Sequence, residues 1–260
     1  MKRFLYDMKR YWSYTIYAAK AELKADIIGS YLGWLWLILE PTLFMLIYAF
    51  VVQIVFKSGE PNLPVFVFTG YSIWSFFNKT VISSVKLMRS SRSIITKIYV
   101  PKYVLLHVRM FVNLFKLLVS FMIVAVLLAV YQVPLTANIL YALPILLLLW
   151  IGTFAFSSIL LHFGTFIEDL SNVMTVVLRL WFYLSGIFYS LPNRVEGPLG
   201  QALLHYNPVG FVINEMRNVL LYGVPLDLKW YMAWLGVCIV LSALGIRIIY
   251  KYESQYAKVI

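Results

Sequence analysis

Residues 86–109 read KLMRSSRSIITKIYVPKYVLLHVR, a stretch between two apolar segments that holds Lys86, Arg89, Arg92, Lys97, Lys102 and Arg109 and no acidic residue. Carrying Lys and Arg across a bilayer is costly, so short loops that keep them stay on the inner side and orient the spans around them. The stretch is expected to be a cytoplasmic loop from which every other segment takes its direction. Its middle, Lys97-Ile98-Tyr99-Val100-Pro101, mixes charge, aromatic and β-branched residues and stops at a proline. That pattern predicts a short amphipathic helix ending near Pro101 and open to a soluble partner. A solvated loop gripping anionic headgroups is the other reading of the same residues.

Composition points the same way. The 260 residues are 62% hydrophobic, 17% aromatic and 13% charged, against about 45–50% apolar in soluble domains, and the mean hydropathy is +0.82. An integral membrane protein is expected. The net charge of +11 is spread over caps and loops rather than gathered on an aqueous face, which argues against nucleic acid. Cys238 is the single cysteine and sits in an apolar run, so neither a disulfide framework nor a Cys-based metal site is expected. His107, His162 and His205 lack ligand spacing, and no metal is predicted. Lys2, Arg3, Lys9 and Arg10 adjoin no apolar core, so the beginning does not read as a signal peptide.

Residues 1–30 alternate charge with aromatics. Trp12, Ile16, Leu23 and Ile27 share one helical face, and Tyr11, Tyr14 and Tyr17 suit an interface. An amphipathic helix on the inner leaflet, or one packed on a cytoplasmic partner, is expected. Six spans follow, each near the roughly 20 residues that cross a hydrocarbon core: Trp34 to Phe56, Pro64 to Val85, Met110 to Val130, Ile139 to Leu161, Val173 to Leu191 and Trp230 to Tyr250. Between the last two, residues 192–229 hold an apolar stretch, Leu199 to Tyr222, long enough for one span but broken at Asn207-Pro208 and carrying Glu215 and Arg217. A seventh crossing there would put the basic end outside. A re-entrant helical hairpin turning at Asn207 and Pro208 keeps both ends inside; irregular backbone at that depth needs protein or a wet cavity around it. Two helices resting on the outer surface are the alternative. The whole chain, 1–260, is read as one all-α transmembrane domain.

Glu40, Lys79, Lys116 and Arg179 interrupt the spans. A charge at the bilayer centre costs about 2.5–3.5 kcal/mol, so these residues are expected to face protein or water. Counted at about 1.5 Å per residue, all four fall in the inner half. Helical spacing places Ser72, Ser75, Lys79, Ser83 and Lys86 on one face, Arg109, Asn113, Lys116 and Ser120 on another, and Asn172, Thr175, Arg179, Tyr183, Gly186 and Ser190 on a third. Glu40 is expected to pair with Arg179 as a gate. Lys79 and Lys116 are read either as ligands or as snorkelling to the inner headgroups.

The chain has no G-x-x-x-x-G-K-[ST] loop, no nucleophile elbow and no H-E-x-x-H helix, and Glu168-Asp169 is an isolated acidic pair. The chain cannot energise anything by itself, and enzymatic chemistry is not expected.

The residues also resemble a family, the membrane subunits of ATP-binding-cassette exporters of O-antigen, capsule and wall teichoic acid. Tyr31-Leu32-Gly33-Trp34-Leu35-Trp36 with Glu40-Pro41 resembles the opening of its first span. Gly70 with Trp74, Phe76 and Phe77 resembles the second, and Lys97 to Pro101 its first inner loop. Tyr189, Pro192, Asn207-Pro208, Glu215, Arg217 and Gly223 keep its order, as do Tyr252-Glu253 and Tyr256-Ala257. The chain departs from it at Glu168-Asp169, where Arg-Asp is usual, and at Ser185-Gly186-Ile187, where Ser-Pro-Ile is common.

The resemblance implies a homodimer bound to two copies of a separate ATPase, which would hold the ATP and magnesium while this chain holds no cofactor, in the bacterial cytoplasmic membrane with both ends cytoplasmic. It implies that Lys97, Ile98, Tyr99 and Pro101, with Glu168 and Asp169, receive the ATPase's motion. The substrate it implies is a polymer on an undecaprenyl diphosphate lipid. Basic residues suit the diphosphate, and Trp36, Tyr48, Trp74, Trp181, Tyr183, Phe188 and Tyr189 are candidates to stack on sugars, with core or interface packing the alternative for each. Wall teichoic acid is the slightly preferred polymer. A drug or antibiotic exporter of the same fold, and a membrane-embedded wall-assembly enzyme or scaffold, are the competing readings.

Overall fold

The computed structural model describes residues 2–28, 31–51, 53, 62–190 and 198–259. Among them there is no strand. Ten α-helices run in order: α1 Lys2–Ile28, α2 Leu35–Phe50, α3 Leu63–Ser90, α4 Arg92–Ile95, α5 Lys102–Val130, α6 Ala142–Phe166, α7 Leu170–Leu184, α8 Pro198–Tyr206, α9 Pro208–Arg217 and α10 Leu228–Val259. A 3-10 turn, Ala137–Tyr141, leads into α6, and a π turn, Asn218–Tyr222, follows α9.

The core is built around α3. It is buried along most of its length, from Leu63 to Met88, and packs against α5, α6, α9, α2 and α7. α10 lies along α6, and α1 lies on α5 through Ala19, Val108 and Val112. Small residues permit the closest approaches, as in membrane helices generally. Gly164 of α6 sits on the Val85 carbonyl of α3, and Gly245 of α10 on Ser158 of α6.

Among the described residues three helices are long and apolar enough to cross a membrane: α5, α6 with its leading turn, and α10, the last counted to Tyr256. α2 and α7 are apolar but short, and the polar stripe of α3 lowers its hydropathy. Six spans are therefore not all met by length and composition. The α-helical part of α2 is Leu35–Phe50, with Pro41 inside it, and residues 51 and 53 are π-helical; the expected end of this span at Phe56 and most of the outer loop expected at Lys57 to Asn62 lie outside the described residues. α7 ends at Leu184 because Gly186 turns left-handed, at φ +65°.

The stretch 86–109 is mostly helical rather than a loop. α3 runs on to Ser90, α4 is a single turn, and Tyr99 to Pro101 is the extended piece. Pro101 does not stop a helix. It stands at φ −55°, ψ 131°, just before the first turn of α5, where its lack of an N–H costs nothing because the first N–H groups of a helix are unpaired anyway. The break at Asn207-Pro208 is present: two short helices meet there, and Asn207 Oδ1 accepts from Val209 N and Gly210 N to cap the second.

Candidate functional site

Two groups of polar residues stand out, one along the helices and one where α1, α4 and α10 meet. Along the helices, Lys79 Nζ donates to Glu40 Oε1 at 2.8 Å, joining α3 to α2. Lys116 Nζ donates to Asp26 Oδ2 at 2.9 Å, and Arg109 pairs with Glu22, both joining α5 to α1. Asn113 Nδ2 donates to the buried Thr80 Oγ1 at 2.9 Å. The polar faces read from α3 and α5 thus do meet, around a cavity of about 30 Å³ lined by Glu40, Tyr71, Ser75, Lys79, Lys116 and Ser120.

The expected Glu40–Arg179 pair is not formed, because Lys79 reaches Glu40 first. Arg179 projects from the exposed side of α7 together with Asn172, Thr175 and Tyr183, and none of the ion pairs among the described residues includes it.

The second group centres on Tyr99, 57% exposed. Its hydroxyl accepts from Arg3 Nη2 at 3.0 Å and donates to Glu253 Oε2 at 3.2 Å. Its carbonyl accepts from Tyr11 Oη at 3.4 Å. Beneath it, Tyr250 Oη donates to Asp7 Oδ2 at 2.7 Å and lies 3.2 Å from Tyr103 Oη, while the Arg3 guanidinium covers the Tyr250 ring at 4.6 Å. The first helix, the stretch before α5 and the last helix are thereby latched together. Burial, then the Glu253 carboxylate, raises the Tyr99 hydroxyl above its ordinary pKa, so it stays protonated and able to donate. An open cleft of about 580 Å³ beside it is lined by Arg3, Lys97, Ile98, Tyr99, Lys102 and Glu253. Lys97 and Ile98 are exposed and Pro101 is buried. Glu168 Oε1 lies 2.8 Å from Arg89 Nη1 in an ion pair that brings the α6–α7 turn to the end of α3, and Asp169 stands just ahead of α7 without a side-chain cap bond.

The aromatic candidates divide. Trp36 and Tyr183 are exposed, whereas Trp74 is buried against Phe77 and Phe182. Trp181 Nε1 donates to Asn207 Oδ1 at 2.9 Å and packs on Phe77 and Phe156. Tyr48 and Phe188 lie 4.4 Å apart by ring centres, between α2 and the end of α7, and Tyr189 Oη donates to the Tyr183 carbonyl at 2.8 Å.

The chain is 28% identical over 259 residues, 99% of each chain, to the O-antigen export system permease protein RfbA of Myxococcus xanthus. It is 24% identical over 259 residues, 98% of each chain, to two proteins of the same name from Klebsiella pneumoniae. The chain is a relative of these permeases. The resemblance drawn from the motifs, to membrane subunits of ATP-binding-cassette polysaccharide exporters, therefore extends over the whole sequence. No family model matches it.

Two arrangements were not foreseen from sequence. Arg217, 4% exposed, donates to the carbonyls of Phe66, Gly186 and Ile187 at 3.1, 2.7 and 2.7 Å and lies 3.4 Å above the Phe66 ring. It fastens α9 to the start of α3 and to the residues that follow α7. A Cβ on Gly70 would come within 2.5 Å of Arg217 Nη2, so glycine there makes room for the guanidinium. The signal was the pairing of an isolated helical glycine with a lone arginine in an apolar stretch. The Asp7–Tyr250 contact spans most of the chain and left no local signal.

Proposed function

We propose that this chain is the permease subunit of an ATP-driven exporter that carries a lipid-linked cell-envelope polysaccharide, of the O-antigen kind, across the bacterial cytoplasmic membrane. Two copies flank the path, and two copies of a separate ATP-hydrolysing subunit dock on the inner loops. The relatives' names favour O-antigen over the wall teichoic acid preferred from sequence. The lipid is undecaprenyl diphosphate, whose charge suits exposed basic side chains.

The observation that carries the reading is the uncovered stripe of α7. Asn172, Thr175, Arg179 and Tyr183 are exposed on a helix whose buried residues are Met174 and Leu178. An arginine on lipid in the inner half of a bilayer costs about 2.5–3.5 kcal/mol at the worst depth. A watered passage between two copies removes that cost and gives the guanidinium a phosphate to bind bidentately. The latch around Tyr99 supports docking at the same inner end, since it joins the exposed Lys97 and Ile98 to α1 and α10.

Depletion of the protein followed by chemical identification of the lipid-linked polymer left on the cytoplasmic side tests this. A repeat-unit glycan on undecaprenyl diphosphate is expected. A poly(polyol phosphate) would redirect the reading to teichoic acid, and normal envelope with no accumulation would sink polymer export.

A further inference from the structure

Four bases of α1, Lys9, Arg10, Lys20 and Lys24, lie on a different side of the helix from its acids, while Arg3 joins Asp7 in the latch. Asp7 is held by Tyr250, Glu22 by Arg109 and Asp26 by Lys116, so each acid of α1 is turned to the body of the protein. Lys9, Arg10, Lys20 and Lys24 are exposed, and none of the ion pairs among the described residues includes them. With Tyr6, Ser13 and Tyr17 they recur at steps of three and four residues, which puts them on one stripe roughly 100° wide along roughly 27 Å of helix. Tyr6 is 64% and Tyr17 76% exposed.

A soluble helix usually mixes both charge signs on its outer face. Here the outer face is basic and tyrosine-bearing from end to end. Exposed tyrosine interleaved with Lys and Arg is the composition that sits at headgroup level. The ties from Glu22 and Asp26 to α5, a helix long and apolar enough to cross a membrane, hold the stripe against that boundary. We infer that this face of α1 binds anionic phospholipid headgroups and selects them over zwitterionic ones. The inference is independent of what the protein exports.

The test is native mass spectrometry of the purified full chain with equimolar phosphatidylglycerol and phosphatidylcholine. Three proteins are compared: wild type, a variant carrying Lys9→Gln, Arg10→Gln, Lys20→Gln and Lys24→Gln, and a control with the same number of exposed bases removed elsewhere, Lys86→Gln, Arg92→Gln, Lys251→Gln and Lys258→Gln. Wild type and control are expected to retain phosphatidylglycerol about tenfold over phosphatidylcholine, a preference that shrinks at about 0.5 M salt; the α1 variant is expected to lose it. If the fourfold variant does not fold, the pairs Lys9→Gln with Arg10→Gln and Lys20→Gln with Lys24→Gln are each expected to lose part of the preference. No preference in wild type, or an unchanged one in the α1 variants, overturns the inference. So does a variant that keeps its lipid preference but no longer co-purifies with an ATPase, which would make the face a dock for an acidic protein.

Discussion

At the residue scale, the junction of α3, α7 and α9 depends on one guanidinium and the space made for it. Gly70→Ala is expected to push Arg217 off its carbonyls and cost about 3 kcal/mol, because charge-assisted hydrogen bonds are lost and buried acceptors left bare. Arg217→Ala should cost a similar amount. The double variant should cost clearly less than the sum, since both changes remove the same interaction; unfolding in detergent would show this, and simple additivity would refute the link. A second cycle concerns Glu40 and Lys79. Glu40→Gln or Lys79→Gln alone leaves one charge without its partner and is expected to lower stability by about 1–2 kcal/mol, whereas the two together recover most of it. That the polar faces of α3 and α5 meet was legible from sequence, whereas the third polar face is cut short, since α7 ends at Leu184 and Gly186 beyond it is buried. Which partner each charge takes was not legible, because helical spacing fixes a direction but not the neighbouring helix's rotation or depth.

Helices meet where glycine lets their backbones touch. Gly164→Ala would drive a methyl into the Val85 carbonyl of α3, a backbone atom that cannot turn aside, and is expected to cost about 3 kcal/mol. Gly245→Ala meets Ser158 Oγ, which can rotate away from its bond to the Ala155 carbonyl, and Ser158 Cβ at 2.8 Å, which cannot, so an intermediate loss of about 2 kcal/mol is expected. Equal losses in apparent melting temperature would count against this account of the packing. The long apolar helices were legible because their composition alone marks them, and Val130 closes α5 where hydropathy placed it. Their inner ends were not, since α5 begins at Lys102 among residues polar enough to read as loop. Proline misled for a physical reason: it suits the position before a helix as well as the one after it, and the sequence does not say which.

For the whole molecule, the uncovered α7 stripe sets a demand that a single chain does not meet. In a Cys238→Ser background, Thr175→Cys is expected to form a cross-link between two copies in native membranes, as Thr175 lies on that stripe; absence of any cross-link under oxidation would argue against the paired arrangement. Arg179→Leu is expected to leave the protein folded and to reduce export at least about tenfold, since it removes a phosphate-seeking cation. Greater stability with unchanged export would place Arg179 against lipid instead.

The latch carries a topological consequence. Arg3 and Asp7 near one end of the chain touch Tyr250 and Glu253 near the other, so the two ends are expected to share a compartment, with an even number of crossings on the path between them. Parity thus rejects five or seven crossings without any decision about the short helices α2 and α7. Enzyme reporters attached at either end are bound to give the same answer.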